Sequence, residues 1–231
     1  TLRLTGEPAQ LAEGVGTLVA PGGAVYSSSQ NGVLAYRSGE APLVQLTWYE
    51  RSGRRIGPAA PPGPYRQMAL SPDGKRAVVE RTDPAGIWLL DLGSGILSRL
   101  TAPAAGEDSD PVWSPDSRQV AFASTRNKQM DVFRQTIGAG QPELVWADND
   151  RKVPEAWLKD GTILFTTSTG KNYFRVAQDG KSQPSRLFQV DFTTDEPMVS
   201  PDGRLVAFNS LESGRFEVYV ATFPSFADKR Q

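Results

Sequence analysis

The chain has 231 residues, with 25 basic and 26 acidic side chains and a net charge of −1, so no strong field steers it to nucleic acid or to an anionic membrane. It contains no cysteine and no histidine, which removes disulfides, thiolate and imidazole metal sites, and the Ser-His-Asp triad. Its 22 glycines and 18 prolines, with no long 3.6-period apolar segment and no run near the ~18 apolar residues of a transmembrane helix, indicate an all-β, turn-rich chain that does not insert into a membrane.

Taken in chain order, the N-terminus does not read as a signal peptide, and a start at Thr1 predicts a segment of a longer gene product. Thr1–Val15 reads as an outermost strand. A first unit, 23–63, carries the turn Ser29-Gln30-Asn31-Gly32 and strands Val33–Arg37 and Leu43–Tyr49. A second, 64–104, carries Gln67–Leu70, the turn Ser71-Pro72-Asp73-Gly74, then Arg76–Glu80, Gly86–Leu92 and Ile96–Leu100. A third, 105–150, carries Pro111–Trp113, Ser114-Pro115-Asp116-Ser117, Gln119–Ala123, Asp131–Ile137 and Glu143–Trp146. A fourth, 151–191, carries Glu155–Trp157, Leu158-Lys159-Asp160-Gly161, Thr162–Thr166, Tyr173–Ala177 and Arg186–Gln189. A fifth, 192–231, carries Pro197–Val199, Ser200-Pro201-Asp202-Gly203, Arg204–Phe208 and Phe216–Thr222.

The turn phrase begins at residues 29, 71, 114, 158 and 200, a period near ~43 residues that belongs to repeated four-stranded units. Proline presets φ at the first central position, Asp suits the second and Gly takes the φ > 0 position that follows, so each phrase predicts a hairpin. Ser117 must then hold a conformation that favours Gly. The apolar strand after each turn reads as buried on both faces between stacked sheets. The reading is one β-propeller domain over 1–231, of four-stranded antiparallel blades. About five blades are visible, either closed by 1–15 as the last strand of the fifth or forming part of a six- or seven-bladed ring. Trp113, Trp157, Phe122, Phe165 and Phe208 recur at fixed repeat positions and are expected in the core.

Carboxylates concentrate in the stretches that lead from one unit to the next: Glu107, Asp108 and Asp110, then Asp148 and Asp150, then Asp191, Asp195 and Glu196. Brought together at a channel mouth, Asp108, Asp110, Asp150, Asp195 and Glu196 form a candidate rim for a basic peptide, a small ligand or a cation. The same residues also suit the tying down of their own loops. Trp48, Tyr49 and Trp146 lie on outer strands and form a candidate partner surface. No nucleotide, flavin or metal motif is present, so no cofactor is expected. Gly138-Ala139-Gly140 lies between two strands and reads as a hairpin tip.

Asp108-Ser109-Asp110-Pro111-Val112-Trp113-Ser114-Pro115-Asp116 and Ile87-Trp88-Leu89-Leu90-Asp91-Leu92, with Ser98-Arg99-Leu100-Thr101 behind, resemble the TolB-type, WD-like β-propeller repeat. Asn31–Arg37 and Leu46–Arg55 resemble propellers attached to bacterial transmembrane serine/threonine kinases, in which a cytoplasmic kinase domain and a membrane helix precede an extracytoplasmic propeller. The resemblance implies a non-catalytic interaction or ligand-sensing module outside the cytoplasm, with a protein or peptide partner. The alternative is the gating propeller of a serine peptidase of the prolyl oligopeptidase type, whose catalytic domain would lie outside this chain.

Overall fold

The computed structural model describes residues 26–28, 34–38, 43–102, 106–167, 172–190, 194–200 and 202–231. Among them every regular element is a strand. The first sheet contains β1 (Tyr26–Ser28), β2 (Leu34–Ser38), β3 (Gln45–Tyr49) and β4 (Arg55–Pro58). The second contains β5 (Tyr65–Leu70), β6 (Arg76–Thr82), β7 (Ala85–Asp91) and β8 (Leu97–Arg99). The third contains β9 (Asp108–Trp113), β10 (Gln119–Ser124), β11 (Asp131–Thr136) and β12 (Glu143–Trp146). The fourth contains β13 (Lys152–Trp157), β14 (Thr162–Thr167), β15 (Asn172–Ala177) and β16 (Ser185–Gln189). The fifth contains β17 (Thr194–Val199), β18 (Leu205–Ser210) and β19 (Glu217–Thr222).

Strands follow one another in space as in sequence, and all pairs are antiparallel. The first strand of each sheet contacts the first strand of the next, β1 on β5, β5 on β9, β9 on β13 and β13 on β17. These are the blades of a propeller, with the first strands innermost. Thr1–Val15 and Ser29–Gly32 lie outside the described residues. The outer edge of β19 bonds to Arg230, whose N–H donates to the Val220 carbonyl at 2.8 Å and whose carbonyl accepts from the Val220 N–H at 2.7 Å.

Period-2 alternation lets one strand serve two interfaces. On β6, Ala77 and Val79 pack toward the first blade, with Leu46, Tyr65 and Met68, while Val78 packs toward the third, with Trp113, Val120 and Phe122. On β10, Ala121 faces the opposite way from Val120 and Phe122 and joins Trp157, Ile163 and Phe165. The five expected core aromatics are buried, Trp113, Trp157, Phe122, Phe165 and Phe208 all at or below 8% exposure. A blade's two apolar faces are buried only by its neighbours.

The hairpin phrase works as its residues demand. Gly74, Gly161 and Gly203 take φ of +69, +82 and +71, and Ser117 takes +59. Ser114 Oγ accepts the Gln119 N–H at 2.8 Å and lies 2.6 Å from Asp116 Oδ1, and Asp116 Oδ1 accepts the Arg118 N–H at 3.1 Å. Ser200 and Asp202 repeat this pattern with the N–H groups of Leu205 and Arg204. Where Leu158 replaces the serine, the Thr162 hydroxyl donates to Asp160 Oδ1 at 2.6 Å instead. The Ser114 hydroxyl holds the Asp116 carboxyl below the usual carboxylate range, and Ser200, with Arg204, brings Asp202 down to about 2.

Ser117 is more than a tolerated replacement for Gly. Its Oγ accepts the Asp73 N–H of the preceding blade at 3.1 Å, and its carbonyl accepts from Arg76 Nη2 at 2.8 Å. The strain of a left-handed serine is offset by a cross-blade hydrogen bond that glycine could not make. Open space surrounds the position of a Cβ at Gly203, so a side chain there meets only backbone strain. We predict that Gly203→Val destabilises the fold by roughly 1–3 kcal/mol in chemical denaturation. Ser117→Gly should stay within about 1 kcal/mol of the parent, because relieved strain and a lost hydrogen bond oppose each other. Ser117→Ala should lose about 1 kcal/mol, since it drops the bond and keeps the strain.

Candidate functional site

Inner strands begin earlier than the sequence reading places them, so Asp108, Asp110, Asp195 and Glu196 are strand residues of β9 and β17 and not loop residues. A β-bulge in each of β5, β9, β13 and β17 is the reason. In β9, Asp110 and Pro111 together oppose Phe122, and Asp110 takes φ +52, which carries the strand past its proline. In β5, Arg66 and Gln67 together oppose Glu80, and in β17, Glu196 and Pro197 oppose Phe208. In β5 and β9 the bulged residues Gln67 and Asp110 meet across the junction of the second and third blades, where Gln67 Nε2 donates to Asp110 Oδ1.

The junction of the second and third blades holds the most unusual cluster. Glu80 on β6 is 4% exposed. Its Oε2 accepts the Asp110 N–H at 3.3 Å across the blades, and its Oε1 pairs with Arg66 Nη1 at 3.2 Å. Burial, and then the facing Asp110 carboxylate, push the Glu80 carboxyl up to about 7, and Arg66 only partly opposes this. Asp110 is held from both sides, by Gln67 Nε2 at 3.2 Å and by the Ser109 hydroxyl at 2.7 Å. Trp113 Nε1 adds a cross-blade bond to the Ala69 carbonyl at 3.0 Å.

The remaining sequence candidates fall into different settings. Asp108 is buried and pairs with Arg126 at 2.8 Å, and that guanidinium also lies over the rings of Phe133 and Phe122. Asp150 is exposed, and its N–H donates to Asp148 Oδ1 at 2.8 Å. Asp195 sits opposite Asn209 on β18, one step before the bulge at Glu196. Asp191 lies outside the described residues. Trp48 and Tyr49 are on β3, with Trp48 packed against the core between the first and second blades. Trp146 is on β12, packs against the core between the third and fourth blades, and donates from Nε1 to Asp148 Oδ2 at 3.0 Å. The three aromatics therefore belong to two separate packing environments.

Two residues outside the sequence candidates organise this region. Glu80 ends an apolar run read as buried on both faces, and a carboxylate in such a run was the available signal. Lys152 had none, because a Lys in Asp150-Arg151-Lys152 looks solvated. It is fully buried, with Nζ 2.7 Å from Asp148 Oδ1 and 3.4 Å from Asp131 Oδ1, and it donates to the Asp148 carbonyl at 3.3 Å. Burial pushes the Asp131 carboxyl up and Lys152 pulls against that shift. Burial also opposes ionisation of Asp148, yet Lys152, the Asp150 N–H and the Trp146 indole hold it below the usual carboxylate range.

The stacked, bulged sheets and their Ser-Asp hairpins define a β-propeller repeat protein. The TolB beta propeller domain model matches residues 28–225, and the chain belongs to that family. It is 34% identical over 77 residues to an uncharacterized protein of Agrobacterium fabrum, a match that spans 32% of this chain and only 26% of that protein. Among solved structures, a protein assigned as TolB from Agrobacterium tumefaciens superposes with a TM-score of 0.72 at 18% identity, over 89% of this chain and 78% of that one. TolB from Acinetobacter baumannii superposes with a TM-score of 0.67 at 19% identity, over 86% of this chain and 51% of that one. An oligogalacturonate lyase in complex with manganese shares the fold with a TM-score of 0.62 at 13% identity, over 90% of this chain and 64% of the lyase.

Two predictions follow from the buried charges. Glu80 has a folded value near 7 against an ordinary 4.5, so the native state holds an extra proton between those pH values. Stability should therefore fall as pH rises through that window, by at most about 1.4 kcal/mol per pH unit, and Glu80→Gln should flatten the slope in denaturant titrations. Lys152→Met leaves Asp131 buried without its cation and should destabilise by roughly 3–5 kcal/mol. Adding Asp131→Asn should recover part of that loss in a double-mutant cycle.

Proposed function

We propose that this chain is a non-catalytic interaction or ligand-sensing propeller, carried outside the cytoplasm by a bacterial signalling protein such as a transmembrane serine/threonine kinase. The observation that carries the reading is the acidic content of the bulged inner strands β9 and β17, within a TolB beta propeller domain. Asp110, Asp195 and Glu196 on the inner strands and the exposed Asp150 beside them are the proposed acidic contributors, while Asp108 is neutralised by Arg126 and drops out of the rim. Carboxylates on neighbouring blades add their fields at a shared opening, which suits a basic peptide segment or a cation. The absence of histidine and cysteine from the sequence supports binding over chemistry. Among the described residues, no three His, Cys, Asp or Glu side chains form a cluster able to hold a metal. No described helix is long and apolar enough to cross a membrane.

Calorimetric titration of calcium and of a lysine-rich peptide tests this, with the intact chain beside the Asp110→Asn, Asp150→Asn, Asp195→Asn triple variant. The peptide is expected to bind the intact chain, more weakly as salt rises and more weakly to the variant. Equal binding by both proteins would remove the acidic residues as the recognition surface.

A further inference from the structure

A pair of arginines lies on the opposite face of the second blade from Glu80. Arg81 follows Glu80 on β6, so its side chain points to the other side of the sheet, the side on which Val79 packs toward the first blade. β7 sets Gly86 opposite Arg81 and Trp88 opposite Val79, and β8 sets Arg99 opposite Trp88. Arg81, Gly86, Trp88 and Arg99 therefore share one face at the β6–β7 hairpin. Both guanidinium groups are drawn to the indole, with the guanidinium carbon of Arg81 at 4.8 Å and that of Arg99 at 5.5 Å from the Trp88 ring centre. Both also hang on the same turn, since Arg81 Nη2 donates to the Asp83 carbonyl at 3.1 Å and Arg99 Nη2 to the Ala85 carbonyl. Arg99 Nε adds a bond to the Thr101 carbonyl at 2.7 Å. Gly86 leaves room for this arrangement, because a Cβ there would lie 3.0 Å from Arg99 Nη2.

Two cations are thus held on one turn, and no carboxylate answers them. Among the described residues neither guanidinium forms an ion pair, and the Asp83 carboxylate on the same turn pairs with neither. The Nη1 groups of both arginines have no hydrogen-bond partner among the described residues, and they are not buried, so they face solvent. Arg81 Nε, by contrast, is buried without a partner. No guest can reach it, but an anion at the Nη1 groups would offset the cost of that desolvated donor through Coulomb attraction alone. Stacking and the bonds to the turn remove much of the rotamer freedom that an exposed arginine loses on binding, so the pair is preorganised. The fork of a single guanidinium satisfies a carboxylate. A tetrahedral dianion offers oxygens to two forks and matches their joint charge.

We propose that Arg81 and Arg99 form a binding site for a small tetrahedral dianion of the phosphate and sulfate class, which accepts from the solvent-facing Nη1 groups of both. The site lies across the sheet from Glu80 and Asp110 and takes the opposite charge, so this proposal and the acidic-rim reading can fail separately. The test is a titration of sodium sulfate and of sodium phosphate into the full chain, with sodium acetate in parallel and ionic strength held constant with sodium chloride. Binding is followed by NMR through the Trp88 indole N–H and the Arg99 Nε–H. Saturable shifts by both dianions are expected at the β6–β7 hairpin and the end of β8, with acetate about tenfold weaker, the equivalent of one charge-assisted hydrogen bond. Arg99→Lys keeps the charge and loses the fork, and should weaken sulfate binding about tenfold. Arg81→Gln should abolish saturation. If either variant does not fold, the shift map of the parent decides alone. No saturable shift at Trp88 in the parent, or saturation centred elsewhere, would overturn the proposal. So would unchanged sulfate binding by the folded variants. Equal saturation by acetate would overturn the dianion assignment.

Discussion

A twisted four-stranded sheet has two apolar faces, and no blade of this chain can cover both of its own. Every other feature depends on that constraint. The second strand of each blade must be apolar on both sides, as Ala77, Val78 and Val79 are, and adjacent residues on it then belong to different cores. Polar groups near these cores find partners across the junction: Gln67 with Asp110, Glu80 with the Asp110 backbone, Lys152 with Asp131, Tyr173 with Thr194. The junction between blades, more than the blade, is the unit in which burial and hydrogen bonding are balanced.

This division explains how acidic residues in similar sequence positions acquire different roles. Asp108, Asp131 and Asp148 face a cation within the fold and serve the architecture. Asp73, Asp116, Asp160 and Asp202 organise hairpins by accepting backbone N–H groups two residues on. Asp110 has the neutral partners Gln67 and Ser109 and faces Glu80, whose own cation is Arg66.

The repeat period and its turns made the architecture legible in the sequence, because a Gly or a strained Ser at φ > 0 leaves a local mark every ~43 residues. Core aromatics were legible for the same reason. The starts of the inner strands were not. A bulge is set by pairing with the neighbouring strand, and Pro111 and Pro197 read as strand beginnings when they in fact sit within bulged strands. The acidic concentration was visible, but its partition between structure and surface was not, since Arg126 and Lys152 reach Asp108 and Asp131 from about 18 and 21 residues away. Glu80 stands out only once its surroundings are known, because burial gives an ordinary carboxyl its unusual properties.

Native-state hydrogen exchange tests the central claim, that neighbouring blades stabilise one another through their inner strands. The amides of Val78, Val120 and Ile163, on the second strands of three successive blades, should exchange only through a shared global opening with one common free energy. Those of the outermost strands β4, β8, β12 and β16 should exchange through local openings of much lower free energy. Separate opening energies for Val78, Val120 and Ile163, each blade unfolding alone, would contradict the account.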